Sequence, residues 1–441
     1  MSDAAALHRG KVEAVIAQLR AHTGSRPISF RKRAVSHQVP KPHDLSYRDD
    51  TIDLRPLDAI LEIDPEGMTA TVEPGVTFAA LVDALLPLGL LPLVVPELET
   101  ITAGGAVTGC SLESMSFECG GFHDTCLAYE VITANGDVIE CTPNGDEALL
   151  FQMMHGSFGT LGILSKLTFR LVRAAPYVHL RHDRFEDVAG YRAAIERHAA
   201  AHDIDFMDGI IHAPNELVLS LGTFAREAPH TSHYDWTRVY WKSTHERRED
   251  WLATRDYLFR YDRGVTNVHP KSPLGRLVFG RVLGSARLLR AASVLHRFLP
   301  ARPTVTVDLF IPISRFGDFI DWYDRTIGHY PLWCVPYRRV HDYEWLAPSF
   351  YADLHDTMFV DLAIYGLEQP AGRNLYREIE EELPRVGGVK TLISYNYYDE
   401  KTFWSIFNKA SYDAVKQRTD PANLFRDLYA KTVLAPRGLE T

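Results

Sequence analysis

Cysteine is scarce in this chain. Five occur in 441 residues, Cys110, Cys119, Cys126, Cys141 and Cys334, and no two form a C-x-x-C pair. An odd count without that spacing suggests neither a disulfide framework nor a zinc site, and a reducing cytoplasm fits best. Long apolar runs are missing too. None reaches the roughly 20 residues that a membrane-spanning helix needs. The opening stretch MSDAAALHRGKVEAVIAQLRAHTG mixes acids and bases and reads as an amphipathic helix, not a signal peptide. Net positive charge is also lacking: the formal charge is -10, which argues against nucleic acid as the main partner. What remains is ordinary for a globular protein, 46% hydrophobic and 24% charged, in a chain longer than one typical core. Two domains are expected.

The first runs to about residue 173. AILEID and TATVEP are short β-rich runs around a Pro-Glu-Gly turn. TFAALVDALLPLGL places Phe78, Leu81, Val82, Leu85 and Leu86 on one helical face, with Thr77 as N-cap. Asn135-Gly136 between two alternating runs marks a hairpin. EALLFQMMHG predicts a short helix and GTLGILSKLTFRLV a long strand. From 174 to about 390 aromatic, His and Arg residues become dense. The apolar strands ELVLSLGTF, TVTVDLFIPI and TMFVDLAIYG alternate there with helical stretches such as FGDFIDWYDRTI. A tail, 391–441, contains YNYYDEKTFWSIFN, whose tyrosines alternate as in a strand.

Between these elements lies PELETITAGGAVTGCSLESMSFECGGFHDT, residues 96–125. Gly104, Gly105 and Gly109 allow a backbone to approach a flat or anionic ligand where a β-carbon would clash. Gly120 and Gly121 provide a second close approach, and Ser111, Ser114 and Ser116 offer hydroxyl donors. Any one of these glycines serves a turn as readily as a ligand; the clusters together with HGSFGTLGI favour the ligand. The G-x-G-x-x-G spacing of a Rossmann nicotinamide site is missing.

VEPGVTFAALVDALLPLGL, the 96–125 stretch and GSFGTLGIL together resemble the FAD-binding domain of the vanillyl-alcohol-oxidase superfamily. Within it the chain is most similar to delta-24 sterol reductases and to bacterial reductases of 10-methylene fatty acyl chains. TRDYLFRYDRG, SPLGRLVFGRVL, YPLWCVP, VDLAIYG and DEKTFWSIFN extend that resemblance toward the end of the sequence. It implies an α+β fold: a two-part FAD-binding domain, from residues 1–173 and the returning tail 391–441, with a central α+β cap or substrate domain, 174–390. Carried over residue by residue, Thr102, Ala103, Gly104, Gly105, Gly109, Ser111, Ser114 and Ser116 would line the pyrophosphate and ring. Gly120, Gly121, His123 and Thr125 would continue that wall, and Gly159, Leu161, Gly162 and Ile163 would hold the adenine-ribose side. RKRAVSHQV occupies the place of the first pyrophosphate loop, which would give contacts to Arg31, Arg33, Ala34, Ser36 and His37. Its departure from the usual glycine-rich pattern argues against a flavin–histidine bond, for which His37 is the candidate.

The resemblance implies FAD-dependent reduction of an isolated carbon–carbon double bond in a lipid, with NADPH as electron source. Such chemistry needs a proton donor, an apolar channel and aromatic faces. Tyr397 and His123 are the first candidates for the polar group, and Tyr395 the next. Asn396, Tyr398, Trp333, Trp345 and His341 lie in the same segments. The absence of an N-terminal membrane anchor favours a 10-methylene fatty acyl substrate, carried in phospholipid, over a sterol. Residues 268–303 hold seven Lys or Arg and no acid, interleaved with leucine and valine. That pattern suits either a solvated cap helix or an amphipathic helix on the anionic inner face of the cell membrane. An oxygen-using oxidase of an alcohol or sugar, and a non-catalytic lipid-binding protein, are the competing readings.

Overall fold

The computed structural model describes residues 3–32, 41–235, 238–262 and 304–439. Arg33, Ala34, Ser36, His37 and the basic segment 268–303 lie outside the described residues. The strands expected between Ala59 and Arg173 form one antiparallel sheet. Its order is Ile60–Asp64, Thr69–Val72, Ile163–Arg173, Cys126–Ile132, Val138–Cys141, and Leu90–Pro92 also pairs with Ile163–Arg173. The expected hairpin sets Ile132 opposite Val138. Thr77 caps the helix Phe78–Leu85 by accepting from Ala80 N at 3.2 Å. That helix buries Phe78, Leu81, Val82 and Leu85 in one core with Val72, Val131 and Leu167 of the sheet. The opening helix, Asp3–Ala21, packs Val12, Val15 and Leu19 against Ile132 and Ile163. His8 fastens it, with Nδ1 and Nε2 each 2.9 Å from Glu73 and Glu130.

Eight antiparallel strands form a second sheet. In spatial order they are Glu249–Ala253, Tyr177–Phe185, Glu216–Ala225, Phe206–Ala213, Leu332–Arg338, Met358–Leu367, Val305–Pro312 and Val389–Lys390. Side chains alternate between the two faces of a strand, and that alternation sorts the residues. Val360, Leu362 and Ile364 are buried with side chains of the helices Val188–Ala201, Phe316–Thr326 and Leu375–Val386. Phe359 and Ala363, on the other face, join the core of the glycine-bearing unit. The site lies on that inner face.

Residues 391–398 carry no strand, contrary to the alternation of their tyrosines. The local polar groups find other partners. Asn396 donates through its amide to Thr432 O at 2.9 Å and Ser394 O at 3.2 Å, and Tyr397 N donates to the Glu380 carboxylate at 3.0 Å. The chain then touches the second unit, Ala347 N donating to Ile406 O. The helix Lys409–Thr419 returns to the first unit. Its Lys416 donates to Thr160 O at 2.9 Å, to Phe425 O at 2.7 Å and to Asp420 at 2.7 Å, while Tyr412 donates to Thr160 Oγ1 at 2.9 Å. Among the described residues no helix is long and apolar enough to cross a membrane.

Candidate functional site

The glycine stretch contributes to the walls of two cavities. The first is a groove lined by Thr102, Gly104, Gly105, Thr108, Gly159, Gly162 and Ile163, faced by Phe30, Lys32, Pro74 and Gly75. Glycine is required at its closest approaches. A β-carbon on Gly104 would stand 2.5 Å from Pro74 Cβ. Gly159 sits at φ +73° with Phe30 2.6 Å from where a β-carbon would lie. Lys32 lines the groove immediately before segment 33–40, and Lys431 donates to Phe158 O at 2.7 Å. Burial, then the charge of Lys32, lowers Lys431 to about 8. A cationic end of this kind suits a phosphate-bearing ligand.

The second cavity is apolar and lies between the two units. Cys110, Leu112 and His123 come from the glycine stretch, while Phe310, Tyr337, Phe359 and Val389 come from the inner face of the larger sheet. Tyr343, Trp345, Leu346 and Phe350 complete the wall with Arg339. One buried polar corner is built on Asp124. Gly121 N donates to Asp124 Oδ2 at 2.8 Å and Tyr343 donates to the same oxygen at 3.0 Å. The Tyr337 hydroxyl meets that of Tyr343, and His341 Nε2 lies 3.4 Å from Asp124 Oδ1. His123 Nε2 is 3.3 Å from Asp124 Oδ2, but neither ring nitrogen makes an aligned hydrogen bond. Burial pushes Asp124 up, yet His123, His341, His155 and the Gly121 N–H outweigh it and hold the carboxyl below its ordinary value. Burial lowers His123 against the pull of Asp124, so its imidazole is neutral at pH 7. Trp345 Nε1 is also buried without a partner among the described residues.

Of the residues expected from the sequence, Thr102, Gly104, Gly105, Gly159, Gly162 and Ile163 meet in the groove, and His123 lies in the pocket. Ala103 and Leu161 are buried behind them. Gly109 closes the short helix Ala103–Thr108, donating to Gly105 O at 2.9 Å, and Gly120 donates to Ser116 O at 3.2 Å. Ser111 O accepts from Phe122 N. The hydroxyls of Ser114, Ser116 and Thr125 are engaged within the protein: Tyr257 donates to Ser114 Oγ at 3.1 Å, Ser116 Oγ accepts from Glu113 N at 3.0 Å, and Thr125 donates to Phe122 O at 2.7 Å. Arg31 is exposed at the end of its strand. Tyr395 and Tyr397 lie in or against the helix-covered core, tilted against Tyr376 at centroid distances of 5.9 and 6.2 Å. Trp333 points its Nε1 to Asp208, 3.0 Å away. Asp124, Tyr337, Tyr343 and the lysines are additions that the sequence reading did not single out.

The groove and the pocket, lined by Thr108 and Cys110 of the same glycine stretch, suit a cofactor with an anionic middle and a flat end. Residues 8–142 match the family described as FAD binding domain. The chain thus carries an FAD-binding domain of the vanillyl-alcohol-oxidase type, in a mixed helix-and-sheet architecture. It is similar to Delta(24)-sterol reductase of Rattus norvegicus, 27% identical over 474 positions, covering 99% of this chain and 88% of that protein. The enzyme of the same name from Arabidopsis thaliana is 26% identical over 435 positions, covering 86% and 76%. Decaprenylphosphoryl-beta-D-ribose oxidase of Mycolicibacterium smegmatis is 34% identical over 121 positions, 27% of this chain and 26% of that protein. The residues present fit FAD. The glycines leave a bare backbone cradle, Lys32 and Lys431 supply positive charge, and His123 offers buried, unpartnered ring nitrogens.

Proposed function

We propose that the protein is an FAD-dependent reductase of an isolated carbon–carbon double bond in a lipid. The observation that carries this reading is the apolar pocket between the two units, walled by aromatic and aliphatic side chains with a polar corner at Asp124. Similarity to sterol reductases across most of the chain supports a lipid alkene as substrate. The substrate proposed is a 10-methylene fatty acyl chain of a phospholipid, reduced to the 10-methyl product with NADPH as donor. Both rest on the resemblance of the motifs quoted above.

Bound flavin would supply the two electrons. The chain's own residues do the rest. Phe310, Phe359, Leu346 and Val389 exclude water and hold an aliphatic segment. The faces of Tyr337, Tyr343 and Trp345 favour positive charge developing on a branched carbon. Asp124 fixes Tyr343 and His341 at the polar corner.

The test is anaerobic. Flavin in the purified holoprotein is reduced with NADPH, then challenged with methylene-branched phospholipid, a Δ24 sterol or an alcohol. Return of the yellow absorbance with the phospholipid alone is expected. Reoxidation by the sterol alone would make this a sterol reductase, and rapid reoxidation by oxygen with peroxide release would favour the oxidase reading instead. Failure of both alkenes overturns the proposal.

A further inference from the structure

Three carboxyl groups converge beside the pocket, away from the Asp124 corner. Asp308 lies on Val305–Pro312 and Asp361 on Met358–Leu367, neighbouring strands of the inner sheet. Glu97, in the first unit, interacts with them electrostatically: the charge of Asp308 acts on Glu97, and that of Glu97 on Asp361. Asp361 shares the inner face with Phe359, two residues and about 7 Å along the strand, and pairs in register with Phe310. Phe359 and Phe310 both line the apolar pocket. Asp361 is 4% exposed, and its Oδ1 is buried without a hydrogen-bond partner among the described residues.

Three ionised carboxylates held together in an apolar setting would carry a large desolvation and repulsion penalty. The groups acting on them are acidic or neutral. Tyr365 donates to Asp308 Oδ1 at 3.0 Å, while Glu113, itself paired with Arg260 at 2.8 Å, and Asp262 add negative charge near Glu97. The nearby Lys390 is paired with Glu380 at 2.6 Å. Among the described residues no such cluster is spaced as a metal-ligand set. Protons are what remain to neutralise the charge. In keeping with this, burial raises Glu97 to about 8 and Asp308 to about 6, and burial with the charges of Asp308 and Glu97 raises Asp361 well above its ordinary value.

We propose that Asp361 is the acid that protonates the alkene carbon, with Asp308 and Glu97 as positioning residues that keep it protonated at neutral pH. This rests on the reductase reading. Reduction of the double bond takes a hydride equivalent, supplied by reduced flavin, and one proton. The O–H bond of Asp361 breaks, a C–H bond forms, and the carboxylate left behind is reprotonated from solvent through its neighbours. Neutral His123, which lacks an aligned donor, is too weak an acid for this step.

The experiment uses the full-length holoprotein and the variants D361N, D308N and E97Q. Infrared spectra in H2O and D2O should show a protonated carboxyl band at neutral pH that D361N removes. After reduction by dithionite, reoxidation by methylene-branched phospholipid should slow on the order of 100-fold in D361N, with the flavin absorbance spectrum kept as the check of folding. D308N removes a neighbour that is negative at neutral pH and E97Q one that becomes negative only above about pH 8; both should move the alkaline limit of turnover to lower pH, D308N the more. Absence of a D361N-sensitive band, or wild-type reoxidation by D361N, overturns the donor role alone. If no alkene reoxidises the wild-type flavin, the reductase reading fails and the donor role with it.

Discussion

Tyr343 donates its hydroxyl to Asp124 Oδ2 at 3.0 Å across a sequence separation of 219 residues. His341 approaches the other oxygen of the same carboxylate at 3.4 Å. A single acidic side chain from the glycine stretch is therefore held on both sides by the segment that follows the strand Leu332–Arg338. This junction closes one end of the pocket, and its strength depends on the charge of His341.

The Asp124 carboxylate, 3.4 Å away, raises His341 above its ordinary value of 6.5, against the effect of burial. A group whose folded value is raised contributes fully below pH 6.5, and that contribution is lost as pH climbs through the folded value. Wild-type protein should therefore lose melting temperature relative to H341Q as pH rises above 6.5. Paired thermal melts across that range check the sign.

Gly104 has no room for a side chain against Pro74, whereas a β-carbon on Gly105 would meet only Thr102 Oγ1 at 3.1 Å. G104A should weaken FAD binding at least about tenfold, equivalent to about 1.4 kcal/mol, and G105A distinctly less. Titration of apoprotein with FAD, followed by flavin fluorescence, separates the two.

Lys416 is almost buried and serves two carbonyls and a carboxylate. K416M leaves Asp420 buried without its cation and should cost on the order of 3 kcal/mol. Urea denaturation of the holoprotein measures the loss.

Tyr395 and Tyr397 pack on the helix-covered side of the larger sheet, away from the pocket. Y395F and Y397F should keep turnover within about twofold, where loss of a general acid would cost at least about 100-fold. A larger loss in single-turnover assays would bring these tyrosines into the chemistry.

The groove was legible in the sequence because its requirement is local. A backbone that must lie bare against another surface needs glycine at Gly104 and Gly159, and glycine can be seen without knowing the fold. The pocket was legible only in part. His123 stood out beside Gly120 and Gly121, but its neighbour Asp124 acts through Tyr343 and His341, which folding alone brings near. Asp308 and Asp361 each sit in the tripeptide Val-Asp-Leu within an otherwise apolar strand, a signal that the apolar pattern concealed. The tyrosines at 395 and 397 misled because a period of two suggests a strand, whereas Asn396 and Glu380 supply side-chain partners that hold an irregular path.

The clasp of Lys416 and Tyr412 on Thr160 also sets an order in time. Lys416 is translated 256 residues after the carbonyl it binds. The glycine-bearing sheet must therefore leave the ribosome unclasped and wait while the entire second sheet is made. A ribosome that stalls within the second unit releases a protein whose groove has its floor but not its fastening, a form suited to chaperone holding and early proteolysis.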